Sequence, residues 1–251
     1  KRFVWYNRII IKITNFLIIL NFMTYNTKNQ NDILDAFGIE NIFSDKPIKR
    51  LKTKPAIENK LHLLDNLKNE IASIENCDLK QNASQIVFND GDENSPIMII
   101  GEGPGQKEDD LGKPFVGDAG ILLNKMLKAI NIKRESVYIT NVVNYRPPNN
   151  RKPETKEIIR YSHYLKEHIS IINPQILILM GSTAMEAIFG SKIKISKERG
   201  SWKQVIIKTK SYKTMTTFHP AYLLRQPDQK KYSWHDLRLI QKEIDAKGIK
   251  L

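Results

Sequence analysis

Downstream of residue 90 the sequence predicts an α/β protein, on three observations. Four short apolar runs, residues 96–100, 138–143, 176–180 and 214–218, have the length and composition of buried strands. Segments with helical spacing, residues 119–130, 155–172 and 182–189, separate them, and a last one over 233–246 follows. The polar, Gly- and Pro-marked segments fall at the carboxyl ends of the runs, where open α/β sheets carry their chemistry. Strands joined by helices imply parallel pairing, right-handed crossovers and a three-layer α/β/α sandwich.

Taken in order, residues 1–22 are apolar with interleaved Lys1, Arg2, Arg8 and Lys12. Their longest uncharged stretch, 13–21, is shorter than the roughly 20 residues a bilayer span needs, and no small-residue cleavage site follows. Because the chain begins at Lys1 and Met23 opens a polar segment, residues 1–22 read as an upstream extension from a misassigned start or as a fragment, with an interfacial membrane helix as the lesser reading. Residues 23–56 are rich in Asn, Lys and Asp and read as a flexible arm. Leu61, Leu64, Leu67 and Ile71 then recur at helical spacing, predicting an amphipathic helix that opens the main domain, residues 57–251.

The first strand runs into Gly101-Glu102-Gly103-Pro104-Gly105-Gln106-Lys107-Glu108-Asp109 and, at once, Gly112-Lys113-Pro114-Phe115-Val116-Gly117. A triphosphatase loop would end in Gly-Lys-Ser or Gly-Lys-Thr, and a dinucleotide fingerprint would pass straight into a helix. Here Gly105 is followed by Gln-Lys-Glu-Asp-Asp, whose negative charge opposes phosphate. Glycines, carboxylates and an aromatic instead suit a planar ring with polar chemistry beside it. The second strand leads into the rigid loop Asn144-Tyr145-Arg146-Pro147-Pro148-Asn149-Asn150-Arg151, the third ends at Gly181, and the fourth delivers His219-Pro220-Ala221-Tyr222-Leu223-Leu224-Arg225. Asn141, Asn150 and His219 are therefore placed to face the first loop across one cleft.

These three segments, GEGPGQKEDDLGKPFVGDAG, TNVVNYRPPNNRKP and FHPAYLLR, in that order and spacing over about residues 71–244, resemble the type 4 uracil-DNA glycosylases. The resemblance implies a four-stranded parallel sheet in the order 2-1-3-4 and monofunctional hydrolysis of the N-glycosidic bond of deoxyuridine in DNA, the first step of base excision repair. Breaking that bond develops negative charge on the base, so a donor to the base O2 is required, and His219 is the candidate. An asparagine amide can accept from N3–H and donate to O4, the role the resemblance gives Asn141. Phe115 would stack on the flipped ring, its plainer alternative being core packing. Glu108 matches the family residue that excludes the thymine methyl. The carboxylate that positions water in a sister family corresponds to Gly103 here, leaving Glu102 or Asn150 for that task. Leu223 or Leu224 is the wedge into the emptied stack, and Arg225 holds an adjacent phosphate.

One departure concerns the cofactor. The family carries a four-iron four-sulfur cluster on four cysteines, whose positions here are Ile74, Cys77, Tyr145 and Tyr161. One thiol cannot hold a cubane, so no cofactor or metal is expected, with the other three residues filling the space. The lone cysteine also excludes an intrachain disulfide, consistent with the cytoplasm. A formal charge of +13 suits a polyanionic partner, although Lys, Ile and Asn are frequent throughout. Lysines crowd residues 192–213, as either a solvated hairpin or a DNA-facing rim. The protein is expected to be a monomer that binds uracil-containing DNA without stable membrane association. A non-catalytic or covalently trapping uracil-DNA binder is the alternative.

Overall fold

The computed structural model describes residues 57–190 and 194–251; the expected extension over 1–22 and arm over 23–56 lie outside them. The elements are α1 (Ile57–Ala72), α2 (Asp78–Gln81), β1 (Asp90–Gly91), β2 (Ile97–Gly101), α3 (Gln106–Leu111), α4 (Asp118–Lys128), β3 (Tyr138–Asn141), α5 (Thr155–Ile172), β4 (Ile176–Met180), α6 (Ser182–Phe189), α7 (Ile195–Glu198), β5 (Trp202–Ile207), β6 (Lys210–Thr217), α8 (Pro220–Arg225) and α9 (Lys230–Ala246). Three 3₁₀ turns, Arg134–Ser136, Pro148–Asn150 and Pro227–Gln229, complete the described residues.

The sheet is mixed and six-stranded, in the order β1-β3-β2-β4-β6-β5, which corrects the expected four-stranded parallel sheet. Its four inner strands do run parallel, and they are the four apolar runs in the order 2-1-3-4. The two additional strands are antiparallel edges, β1 on β3 and β5 on β6. Their physical cause explains why pattern reading passed over them. β1 is two residues long, and β5 and the first half of β6 carry Lys203, Gln204, Lys210, Ser211 and Lys213, polar side chains that an edge tolerates and that discourage further pairing.

Apolar side chains alternate across the inner strands, which is why these read as continuous hydrophobic runs. Met98, Ile100, Leu177 and Leu179 pack against Leu64, Leu67 and Ile71 of α1 and Ile158, Leu165 and Ile169 of α5. Ile97, Ile99, Ile176 and Ile178 pack on the opposite side with Leu123 and Leu127 of α4 and Leu237, Ile240 and Ile244 of α9. Helices thus cover both faces of the sheet. Leu61 departs from the expected apolar stripe and is exposed.

The lysine-rich hairpin is tied to neighbouring carboxylates. Lys203 pairs with Glu198, Lys208 with Glu167 at 2.7 Å and Lys213 with Glu243 at 2.6 Å. Its turn, between Ile207 and Lys210, lies about 23 Å along β6 from Thr217 at ~3.3 Å per residue, at the end of the sheet remote from the strands' carboxyl termini.

Candidate active site

The carboxyl ends of β2, β3, β4 and β6 open into one cavity of about 790 Å³. Glu102, Gly103, Glu108, Phe115, Asn141, Asn150, His219 and Arg225 all line it. Two glycines make this convergence possible. A Cβ on Gly101 would come within 2.4 Å of Asn141 Oδ1 and 2.5 Å of the Phe115 ring, and one on Gly181, whose φ is +94°, within 2.9 Å of His219 Cβ.

Phe115 is buried, and its ring centroid lies 5.4 Å from that of His219 with 28° between the planes. Its backbone sits at φ +54°, a strained conformation for an aromatic residue that surrounding structure must enforce. Arg134 does so: its guanidinium donates to Phe115 O at 3.0 Å and Pro114 O at 2.7 Å while pairing with Asp90 at 2.8 Å. Glu108 is the second organiser of this loop. Its carboxylate accepts from the N–H groups of Gly105 (3.1 Å), Val116 (2.9 Å) and Gly117 (2.7 Å), the first of these tying down the N-terminus of α3.

His219 caps α8. Its Nδ1 accepts from the Ala221 N–H at 3.2 Å, so in the neutral ring the proton resides on Nε2, which is left as a donor. Apart from a partial opening toward the cavity the ring is enclosed, and burial, helped by the charge of Arg225, lowers its pKa to about 4. The ring is therefore uncharged at pH 7.

Asn141 ends β3 almost wholly buried, and its Nδ2 has no hydrogen-bond partner. An orphaned buried amide facing a cavity is costly by about 1–3 kcal/mol unless something that enters accepts from it. Glu102 accepts from the Thr183 hydroxyl through Oε2 at 2.5 Å, and its other oxygen has no protein donor among the described residues. Asn150, at φ +55°, accepts from Arg146 Nε at 2.7 Å through Oδ1, which turns its amide nitrogen away from that contact as a free donor. The wedge candidates separate: Leu223 is buried in the core beside α4 and α9, while Leu224 is exposed, next to exposed Arg225. Leu223 is thereby removed as a wedge, because reaching DNA would mean extracting it from that core.

Thr183, Arg146 and Arg134 escaped sequence reading. Thr183 follows the third strand end, which did carry a signal, Gly181-Ser182-Thr183 at a strand's carboxyl terminus. Nothing local marks Arg134, whose partners lie 19 and 20 residues away.

The four family cluster positions come together on the other side of the sheet, with Ile74, Cys77, Tyr145 and Tyr161 all buried in the core formed by α1 and α5. Cys77 Sγ lies 3.5 Å from Tyr161 Oη, and burial together with the nearby thiol raises the pKa of both tyrosines. One thiol, two phenols and an alkyl chain do not supply the four thiolates of a cubane cluster.

Comparison with known proteins agrees with this geometry. The family model described as the uracil DNA glycosylase superfamily matches residues 88–241. The type-4 uracil-DNA glycosylase of Thermotoga maritima is 44% identical over 150 residues, covering 59% of this chain and 77% of the relative. That of Archaeoglobus fulgidus is 37% identical over 181 residues, 70% and 91% of the two chains, and that of Sulfurisphaera tokodaii 41% over 187 residues, 71% and 83%. With the matched region spanning every strand end that builds the cavity, the chain belongs to the uracil DNA glycosylase superfamily, in its type-4 branch.

Proposed function

We propose that the protein removes uracil from DNA by hydrolysing the N-glycosidic bond, yielding free uracil and an abasic site and so initiating base excision repair. The observation that carries the reading is the orphaned Asn141 amide beside the Phe115–His219 pair. An extruded uracil stacks on Phe115, accepts at O4 from Asn141 Nδ2 and donates N3–H to Asn141 Oδ1. Cytosine presents an amino group at position 4 and no N3–H, so it meets donor with donor and acceptor with acceptor.

As the C1′–N1 bond breaks, its electron pair passes to the base, and His219 Nε2–H donates to the developing O2 anion. A neutral donor suffices, and it leaves the uracil anion as a discrete leaving group. Glu102, one oxygen fixed by Thr183, accepts from the water with the other while the water oxygen bonds to C1′. Asn150, its carbonyl held by Arg146, acts as a donor to the sugar–phosphate or to the water's lone pair. This division assigns the acceptor role to the carboxylate. Glu108 bounds the pocket, excluding thymine, through the loop it organises, with Gly103 beside it. Leu224 fills the vacated stack and Arg225 holds a flanking phosphate.

The reading extends to the remaining features. The catalytic unit is residues 57–251, working as a cytoplasmic monomer and without an iron–sulfur cluster, the Ile74–Cys77–Tyr145–Tyr161 packing replacing it. Among the described residues no helix is long and apolar enough to cross a membrane. Incubation with a uracil-containing oligonucleotide followed by alkali tests the activity: strand scission at the uracil supports it, and intact DNA or a denaturation-resistant protein–DNA adduct contradicts it.

A further inference from the structure

Among the described residues two clusters of basic side chains have different surroundings. In the β5–β6 hairpin Lys203, Lys208 and Lys213 are neutralised by Glu198, Glu167 and Glu243. Those following the cavity are not. Arg225, Lys230, Lys231 and Arg238 are exposed, and none has a carboxylate within 4.0 Å among the described residues. Between residues 225 and 238 two carboxylates occur, exposed Asp228 and fully buried Asp236, the latter engaged by Arg199 and Thr217. Four exposed cations therefore face one exposed anion.

Within α9, helical spacing gathers two of these cations and an aromatic on one side. Lys231, Trp234 and Arg238 stand at i, i+3 and i+7 of α9, opposite the Ser233, Leu237, Ile240 and Ile244 side that is buried. Trp234 is 46% exposed in their midst, a large aromatic surface that makes no use of the core. The stripe is continuous with the site, because Arg225 and Gln229 line the cavity and Lys230 follows at once. From Lys231 to Arg238 it runs about 10 Å at ~1.5 Å per residue, comparable to two or three phosphates at ~3.4 Å of axial rise each.

We propose that this face of α9 is a second DNA contact, in which Lys230, Lys231 and Arg238 bind the phosphates of the strand flanking the extruded nucleotide and Trp234 packs against its sugars. The contact rests on the uracil-DNA reading for its partner. Its charge complementarity and its continuity with the cavity mouth are independent of the catalytic chemistry. The paired hairpin lysines take no part.

Dissociation constants for a duplex with a stable abasic-site analogue, measured across a salt series, test it. Each cation that neutralises a phosphate contributes about 0.9 to the log–log slope, so Lys230→Gln/Lys231→Gln/Arg238→Gln flattens it by about 2.7, and affinity then falls ~40-fold less between 50 and 200 mM salt. The hairpin triple Lys203→Gln/Lys208→Gln/Lys213→Gln keeps the parent slope. DNA quenches or shifts the fluorescence of the parent, and Trp234→Phe removes that change. A triple α9 variant that melts like the parent yet keeps its slope overturns the proposal, as does a flattened slope in the hairpin variant instead. Absence of uracil release with the slope change intact would refute the glycosylase reading and leave this surface standing.

Discussion

Lowering the pH from 7 to 5 should destabilise the protein through its buried imidazoles, and His219→Gln should remove about half of that effect. His219 titrates near 4 in the fold against ~6.5 in an unfolded chain. A depressed histidine pKa means that the unfolded state binds the proton first, so stability is complete above pH 6.5 and falls as pH drops toward 4. Between pH 7 and 5 the linkage amounts to at most about 2 kcal/mol for this ring. His168 adds a similar amount. Its ring stacks on that of Phe88 with centroids 4.5 Å apart and shares a hydrogen bond with the Tyr138 hydroxyl at 2.6 Å, and its pKa is lowered to about 3 by burial alone. The wild type should therefore lose about 4 kcal/mol from these two groups, a large share of a typical domain stability of about 5–15 kcal/mol, and the variant about 2. Urea unfolding followed by circular dichroism at both pH values measures the difference. Equal pH dependence in the two proteins would show that His219 is already charged or well solvated in the fold, and the neutral-donor chemistry would fail with it.

Further substitutions probe the other parts of the site. Asn141→Asp should relax discrimination against cytosine, read as the ratio of kcat/KM for uracil and cytosine in one sequence context; an unchanged ratio would mean that Asn141 does not read the base. Thr183→Val removes the donor that fixes Glu102 and should lower kcat about tenfold, the worth of one hydrogen bond of ~1–1.5 kcal/mol, with Thr183→Ser restoring it and with no further loss in a Glu102→Gln background. Leu223→Ala should destabilise by about 2–5 kcal/mol as a core truncation. Leu224→Ala should leave stability within about 0.5 kcal/mol and slow excision from duplex more than from single strands; the reverse pattern would exchange the two roles. Anaerobically purified protein should lack stoichiometric iron and the visible sulfur-to-iron absorption band, and finding them would overturn the account of Cys77 and its tyrosine neighbours.

The inner sheet was legible because its strands are buried on both faces, so residues 97–100 and 176–179 read as uninterrupted apolar runs. α5 and α6 begin and end where the spacing places them. Short elements were not legible. α3 and α8 are six residues each and owe their form to Glu108 and His219 capping, interactions that a periodicity of 3.6 cannot register in so few positions. The cavity-lining residues were recoverable because glycines, Asn141 and His219 sit at strand ends and Phe115 in the glycine-marked loop after α3. Which of Leu223 and Leu224 is exposed was not, since adjacent positions on a short helix differ only in the direction they face. Nor were the donors that Thr183 and Arg146 supply to Glu102 and Asn150, which lie 81 and 4 residues from their acceptors.

Release of free uracil from a single-uracil oligonucleotide by the wild type and by His219→Ala, under single-turnover conditions and with DNA affinity measured alongside, tests the central claim most directly. Wild-type protein should liberate uracil and leave an alkali-labile site, whereas His219→Ala should bind DNA nearly as well and release uracil far more slowly. Equal rates in the two proteins would contradict the assignment of His219 as the donor to the departing base.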